Sequence, residues 1–97
     1  MEKPLHYEEL RRDQEHLRYR FISTELDLAL TFVGISQSTD DEQRSERNLN
    51  HARKAVATAR KYLGATNLTA SMREELVEKL RKLDPLLASA QQHAKAK

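Results

Sequence analysis

The strongest constraint on the fold is that only two short stretches interrupt the helical periodicity of this 97-residue chain. The chain is rich in Leu, Ala, Glu, Lys, Arg and Gln, which favour helix, and it has only two Gly and two Pro. A β-sandwich or barrel needs more turn-forming and β-branched residues than this. The sequence therefore predicts a single all-α domain over residues 1–97: an up-down-up three-helix bundle with a long first helix and a kinked third helix.

The first break sets the boundary between helices 1 and 2. The apolar periodicity predicts helix 1 over residues 5–36 and helix 2 over residues 40–63. Ser38 or Thr39 can accept a hydrogen bond from a free backbone N–H of the next turn, and an acidic residue follows each of them three positions later. Because this is the pattern of a capping box, we expect one of these two side chains to cap helix 2.

The second break and one proline define helix 3. Gly64 is expected to end helix 2 in a left-handed conformation. Helix 3 is then predicted over residues 70–90, with Thr69 or Ser71 as its cap. Pro85 lacks the N–H that would bond the carbonyl four residues before it. The sequence therefore predicts a kink near residue 85, or a regular helix that ends there and is followed by a looser one.

Helix 1 carries two apolar stripes rather than one. The first recurs at spacings of seven, four and three and is predicted to face the core; it consists of Leu10, Leu17, Phe21, Leu28, Phe32 and Ile35. The second is centred about 130° further round the helix; it consists of Ile22, Leu26, Ala29, Leu30 and Val33. Two neighbouring helices can bury both stripes, or one stripe can meet a second chain or a partner helix. We predict that the second stripe is an interaction site, and that a symmetric dimer pairs either this stripe or the Leu10 and Leu17 end with itself.

Helices 2 and 3 carry one stripe each. Because neither helix offers a second apolar face, both stripes are predicted to face the core. They consist of Leu49, Ala52, Val56, Ala59 and Leu63 in helix 2, and of Met72, Leu76, Leu80, Leu83, Leu87 and Ala90 in helix 3.

A basic face on helix 2 is the candidate for binding nucleic acid. The chain has 17 basic and 15 acidic residues, a net charge of +2, so no strong overall field draws it to phosphates. Opposite the helix 2 stripe, however, four cations form two adjacent rows about two turns long: Arg53, Lys54, Arg60 and Lys61. They either contact phosphates or form an ordinary solvated face balanced by the acidic turn before helix 2.

Few residues suit catalysis or metal binding. The chain has no Cys, which excludes disulfides and thiolate ligands. Asp13 and His16 match one carboxylate-x-x-His pair of a di-metal bundle, but the corresponding pair, Asn48 and His51, has an amide in place of the carboxylate. No glycine-rich phosphate loop or serine elbow is present. We therefore predict no enzymatic activity, no metal and no cofactor.

The termini and apolar runs predict a cytoplasmic location without membrane association. The first residues have no apolar segment of a signal peptide. The longest apolar stretch, residues 28–35, is too short to span a bilayer.

Two segments resemble a pattern found in small uncharacterised bacterial helical proteins: LDLALTF at residues 26–32 and RNLNHARKA at residues 47–55. The resemblance covers helices 1 and 2, about half of the chain. It implies a bacterial cytosolic origin and no particular activity.

The sequence as a whole predicts a non-enzymatic protein–protein interaction or oligomerisation module, with a homo-oligomer or a protein partner. The alternative is a nucleic-acid-associated accessory protein that uses the basic face of helix 2.

Overall fold

The computed structural model describes residues 5–96, with side-chain surroundings for residues 8–92. Within this range the chain forms three α-helices: α1 (Leu5–Ser38), α2 (Glu42–Ala65) and α3 (Ala70–Ala96). Only two short connections separate them, and no strand occurs in the described range. The prediction of an all-α fold is confirmed.

The cap of α2 is Asp41, so the prediction of Ser38 or Thr39 is wrong. One Asp41 carboxylate oxygen accepts hydrogen bonds from the backbone N–H groups of Gln43, at 3.0 Å, and Arg44, at 3.2 Å. A carboxylate adds a full negative charge at the positive end of the helix dipole, which a hydroxyl does not. Ser38 instead belongs to the last turn of α1.

The α2 C-terminus is stabilised by a side chain rather than by a left-handed glycine. No described residue has a positive φ, so the expectation for Gly64 is wrong, and α2 continues to Ala65. The Arg73 guanidinium, from α3, donates to the backbone carbonyls of Leu63 and Thr66, both at 3.0 Å. Because these carbonyls lack helical partners, the arginine provides the hydrogen bonds that a glycine turn otherwise supplies.

Helix α3 begins at the first of the two predicted caps and runs past its predicted end. The Thr69 hydroxyl accepts a hydrogen bond from the Met72 N–H at 3.1 Å, which identifies Thr69, not Ser71, as the capping side chain. The helix contains Pro85 in its interior and continues to Ala96.

The core is assembled from one face of each helix. Every member of the stripe predicted for α2 is buried, and α3 buries Leu76, Leu80, Leu83 and Ala90, with Leu87 packed against them. Much of the α2 contribution is alanine, and small side chains let neighbouring helices approach closely. The predicted core stripes of α2 and α3 are confirmed, apart from Met72, which is only partly buried.

The two stripes of α1 have the reverse of their predicted roles. Four members of the second stripe form the α1 part of the core: Ile22, Leu26, Ala29 and Val33. Since they are buried within the chain's own bundle, they cannot also contact a partner, and the prediction that they form an interaction site is wrong. Compact side chains such as Ala29 and Val33 allow α2 and α3 to approach α1 together, whereas a stripe with two phenylalanines holds neighbouring helices further away.

Contacts along the bundle join α1 to both other helices. The Phe32 and His51 rings lie 5.1 Å apart, and a buried hydrogen bond of 2.9 Å runs from the Ser45 hydroxyl to the Ser36 carbonyl. Lys79 of α3 reaches α1, where its ammonium group donates to the Ser23 hydroxyl at 2.7 Å.

The molecule measures 66 × 19 × 17 Å. Among the described residues, none of the three helices has a stretch long and apolar enough to cross a membrane.

Candidate interaction surface

A row of exposed apolar side chains runs along α1, and we call it the α1 ridge. It consists of Leu10, Leu17, Phe21, Leu28 and Ile35. Each of these residues is between 38% and 62% exposed. Leu10 and Leu17 are seven residues apart, as are Phe21, Leu28 and Ile35, and four residues separate Leu17 from Phe21. Intervals of four and seven residues are about one and two helical turns, so all five side chains lie on one side of the helix, as in a coiled-coil seam.

The α1 ridge is the stripe that was predicted to face the core, without its one half-buried member, Phe32. The ridge is left exposed to solvent because α2 and α3 both pack on the other stripe of α1. A helix in a three-helix bundle needs one broad apolar face for two neighbours. The ridge is therefore apolar surface beyond what the fold requires.

Helix α2 adds an aromatic ring to this surface. Tyr62 is exposed and meets Phe21 edge to face, with ring centroids 5.2 Å apart and planes at 81°. Beside the pair lies a shallow hollow of 410 Å³, lined in part by Leu17, Tyr62 and Ala65. Tyr62 was missed by the sequence analysis because its neighbour Leu63 fits the core stripe, and only the relative placement of α1 and α2 brings Tyr62 to Phe21.

The N-terminal part of α1 carries one end of the ridge beyond the contacts with the other helices. Every described side chain over residues 9–14 is exposed. In this stretch Arg11 forms local ion pairs with Glu8, at 3.5 Å, and Glu15, at 4.0 Å. In the part of the chain that the structure describes, hydrogen bonds and ring contacts from α1 to another helix begin only at Tyr19. Leu10 is therefore apolar surface on a projecting arm.

The one exposed member of the predicted interaction site lies on a different side of the molecule. Leu30 is half exposed and lines the groove between α1 and α3 together with Leu86. Lys79 and Lys82 border this groove of 260 Å³, and Lys79 forms an ion pair of 3.2 Å with Asp27 of α1. The groove is thus partly closed by a contact within the chain.

The basic face of α2 is partly occupied by contacts within the chain. The Arg60 guanidinium forms an ion pair of 2.5 Å with Asp84 of α3. Arg53 donates to the Asn50 side-chain oxygen at 2.6 Å. All four cations are exposed, but both arginines have neighbours in the chain, which leaves Lys54 and Lys61 as the other two cations of the face.

Among the described titratable groups, Tyr19 has a shifted pKa. A hydrogen bond that Tyr19 donates to Glu75 raises the pKa of the phenol above its ordinary value, and desolvation and the negative charges of Glu75 and Asp27 act in the same direction. This pairing joins α1 to α3 at the surface and faces no enclosed cavity. Among residues 8–92, no three His, Asp or Glu side chains come together as a metal site requires.

Comparisons of the chain with protein-family models, curated proteins and solved structures found no match. The resemblance to small bacterial helical proteins accordingly stays a prediction. The surface itself is what bears on function, and its main feature is the α1 ridge with Tyr62.

Proposed function

We propose that this protein is a non-enzymatic protein–protein interaction or oligomerisation module that binds through the α1 ridge and Tyr62. The supporting observation is the alignment of five large, exposed apolar side chains on one helix face. Isolated exposed apolar residues are ordinary on a protein surface, but several large ones aligned on one helix face are typical of a binding surface. A bacterial cytoplasmic location, which the sequence resemblance implies, is part of this proposal.

The size of the ridge suits a complex of moderate affinity. Full burial of a large apolar side chain contributes about 1.5–3 kcal/mol, so burying the exposed half of one contributes about 1 kcal/mol. Five such side chains contribute about 5 kcal/mol, and an equivalent partner surface doubles this. With the smallest association cost, about 4 kcal/mol, roughly 6 kcal/mol remains, so the tightest dissociation constant this surface supports is tens of micromolar.

The proposal includes an up-down-up arrangement of the helices with a bend of α3 near Pro85. The order of contacts supports this topology: Phe32 meets His51 early in α2, while Phe21, earlier in α1, meets Tyr62 late in α2. Opposite chain orders are what antiparallel neighbours produce. In this arrangement the α1 ridge and Tyr62 lie on the same long side of the bundle.

A protein partner suits the surface better than nucleic acid. Non-specific binding to phosphates depends on several free cations that release counterions, and two of the four cations of the basic face already have partners within the chain. Retention on immobilised DNA at about 50 mM salt, lost in a Lys54→Gln, Lys61→Gln double variant that keeps its helicity, would favour nucleic acid instead.

Photocrosslinking in cells tests the proposed function without assuming a partner. A photoreactive residue replaces Leu28 on the ridge or, as a matched control, Leu86 of α3; the two leucines are 42% and 43% exposed. We expect a specific crosslinked product of higher mass from position 28 and none from position 86. The proposal is wrong if position 28 gives no product, or only the products that position 86 also gives.

A further inference from the structure

The α1 ridge is symmetric about its own midpoint. Leu10 and Ile35 are equally distant from the point between residues 22 and 23, and so are Leu17 and Leu28. Phe21 alone lacks an apolar counterpart, because its mirror position holds the smaller Thr24. Turned end for end, the ridge therefore places an apolar side chain opposite four of its members and a small one opposite the bulkiest.

From this symmetry we infer that the partner is a second copy of the chain, with the two α1 helices antiparallel along their ridges. The inference rests on the proposed function of the ridge. The ridge residues occupy the a and d positions of a heptad repeat, which form the seam of a coiled coil. In an antiparallel pair an a position of one helix packs against a d position of the other. Leu10 then packs on the partner's Ile35, and Leu17 on the partner's Leu28.

The polar residues of the seam, among them Thr31 and Gln14, are compatible with this contact. The Thr31 hydroxyl donates to the carbonyl of Asp27 in its own helix at 3.0 Å, so its polar group already has a partner. Its methyl group is then left for packing against the second helix. In the antiparallel pair it lies opposite the partner's Gln14, whose position on the projecting arm is exposed.

Nearest the midpoint of the seam, the flanking charges have opposite signs on its two sides. These four residues are Arg18 and Arg20 before the midpoint, and Glu25 and Asp27 after it. Antiparallel pairing brings Arg18 to within about two residues of the partner's Glu25, and Arg20 equally near the partner's Asp27. In the described structure Arg18, Arg20 and Glu25 form no ion pair within the chain, whereas Asp27 already binds Lys79. The complementary flanks favour self-association.

The projecting arm distinguishes antiparallel from parallel pairing. In the antiparallel pair the arm of residues 9–14 lies along the partner's residues 31–36, where Ile35 borders a hollow between α1 and α2. The exposed Leu10 is then covered. A parallel pair would instead leave both arms extending beyond both bundles and would place Phe21 against Phe21. The antiparallel arrangement buries more of the ridge and avoids this crowding.

Sedimentation measurements on the purified chain, up to several hundred micromolar, test self-association. We expect a monomer–dimer equilibrium whose dissociation constant rises at least tenfold in Leu28→Lys and stays within twofold in Leu86→Lys, with circular dichroism confirming unchanged helicity. A wild-type chain that stays monomeric overturns the inference. Crosslinking of position 28 to a different protein in cells would then leave the proposed function standing, whereas absence of any crosslink would overturn both.

Orientation is tested by cysteine pairing, which is unambiguous because the chain has no native Cys. Leu17→Cys and Leu28→Cys variants of different tagged mass are mixed and oxidised. We expect the mixed disulfide to form, since only facing positions bring the Cα atoms within about 7 Å. Disulfides within each variant alone would show a parallel pair, and no disulfide from an associating chain would show another surface; either result overturns the inference.

A charge exchange provides an independent check of the register. Arg18→Glu places two carboxylates together in the antiparallel pair and should weaken association several-fold. Adding Glu25→Arg restores opposite charges there and should recover the wild-type dissociation constant. In a parallel pair the same double variant would set the new carboxylate at position 18 beside the partner's Asp13 and leave association weak, so failure of the rescue contradicts the antiparallel contact.

Discussion

Two leucines of α1, two positions apart, are expected to differ sharply in their contribution to stability. Leu26 is 3% exposed and packs in the core, while Leu28 is 42% exposed on the α1 ridge. Truncation to Ala removes three carbon atoms, worth about 2.4 kcal/mol when fully buried. With the cavity term, Leu26→Ala should cost about 2.5–5 kcal/mol, and Leu28→Ala about 1 kcal/mol. The first is a large fraction of the roughly 5–15 kcal/mol that holds a small domain folded.

Urea denaturation followed by helical circular dichroism measures this difference. With an m-value of about 1.5 kcal/mol per molar urea, the Leu26→Ala midpoint should lie at least about 1 M below that of Leu28→Ala. Repeating the titration at higher protein concentration should enlarge only the Leu28→Ala cost, because association through the ridge stabilises the folded wild type. Equal costs for the two variants, or a greater cost at Leu28, would refute the assignment of the two stripes.

Three further variants test the caps, the titration and the proline. Asp41→Ala should destabilise the chain by about 1 kcal/mol through loss of the α2 cap, and thermal melting should show little change in the adjacent control Asp40→Ala. Glu75→Gln should lower the pKa of Tyr19 in a spectrophotometric titration. In the wild type the raised pKa stabilises the folded state below about pH 10, and this stabilisation is lost as the pH rises through the pKa of the folded state. The variant should therefore lose less stability than the wild type in alkali. Pro85→Ala should raise the unfolding free energy by about 1–3 kcal/mol, since it restores a helix-interior N–H; an unchanged or lower value would show that core packing depends on the proline.

The helices could be predicted from the sequence because each one is a long periodic segment between two breaks. The core faces of α2 and α3 could also be predicted, since a helix with a single stripe has only one face to bury. For α1 the same pattern was ambiguous. The two stripes have similar lengths and spacings. They differ in the size of their side chains, because small residues such as Ala29 let α2 and α3 both approach α1 closely, and spacing alone does not show this.

The helix ends and the candidate surface show the same limit. Both Ser38 and Asp41 are good caps locally, and the choice between them depends on where α1 stops. The Arg73 contact with the carbonyls at the end of α2 joins two helices, so no local pattern at Gly64 could indicate it. The hydrophobic spacing of the ridge was visible in the sequence, but its exposure followed only from the positions of α2 and α3.

The alanines buried in α2 restrict how this chain can vary over time. Ala52 and Ala59 are fully buried, and Ala55 is nearly so, so any larger side chain there must displace a neighbouring helix and costs about 1–3 kcal/mol. A displacement of α1 would also separate Phe21 from Tyr62. Substitutions that alter the outer face of α2 are free of this constraint. Related chains should therefore drift rapidly on the outer face while keeping small residues at these three positions, so the spacing of alanines in α2 identifies distant relatives better than overall identity does.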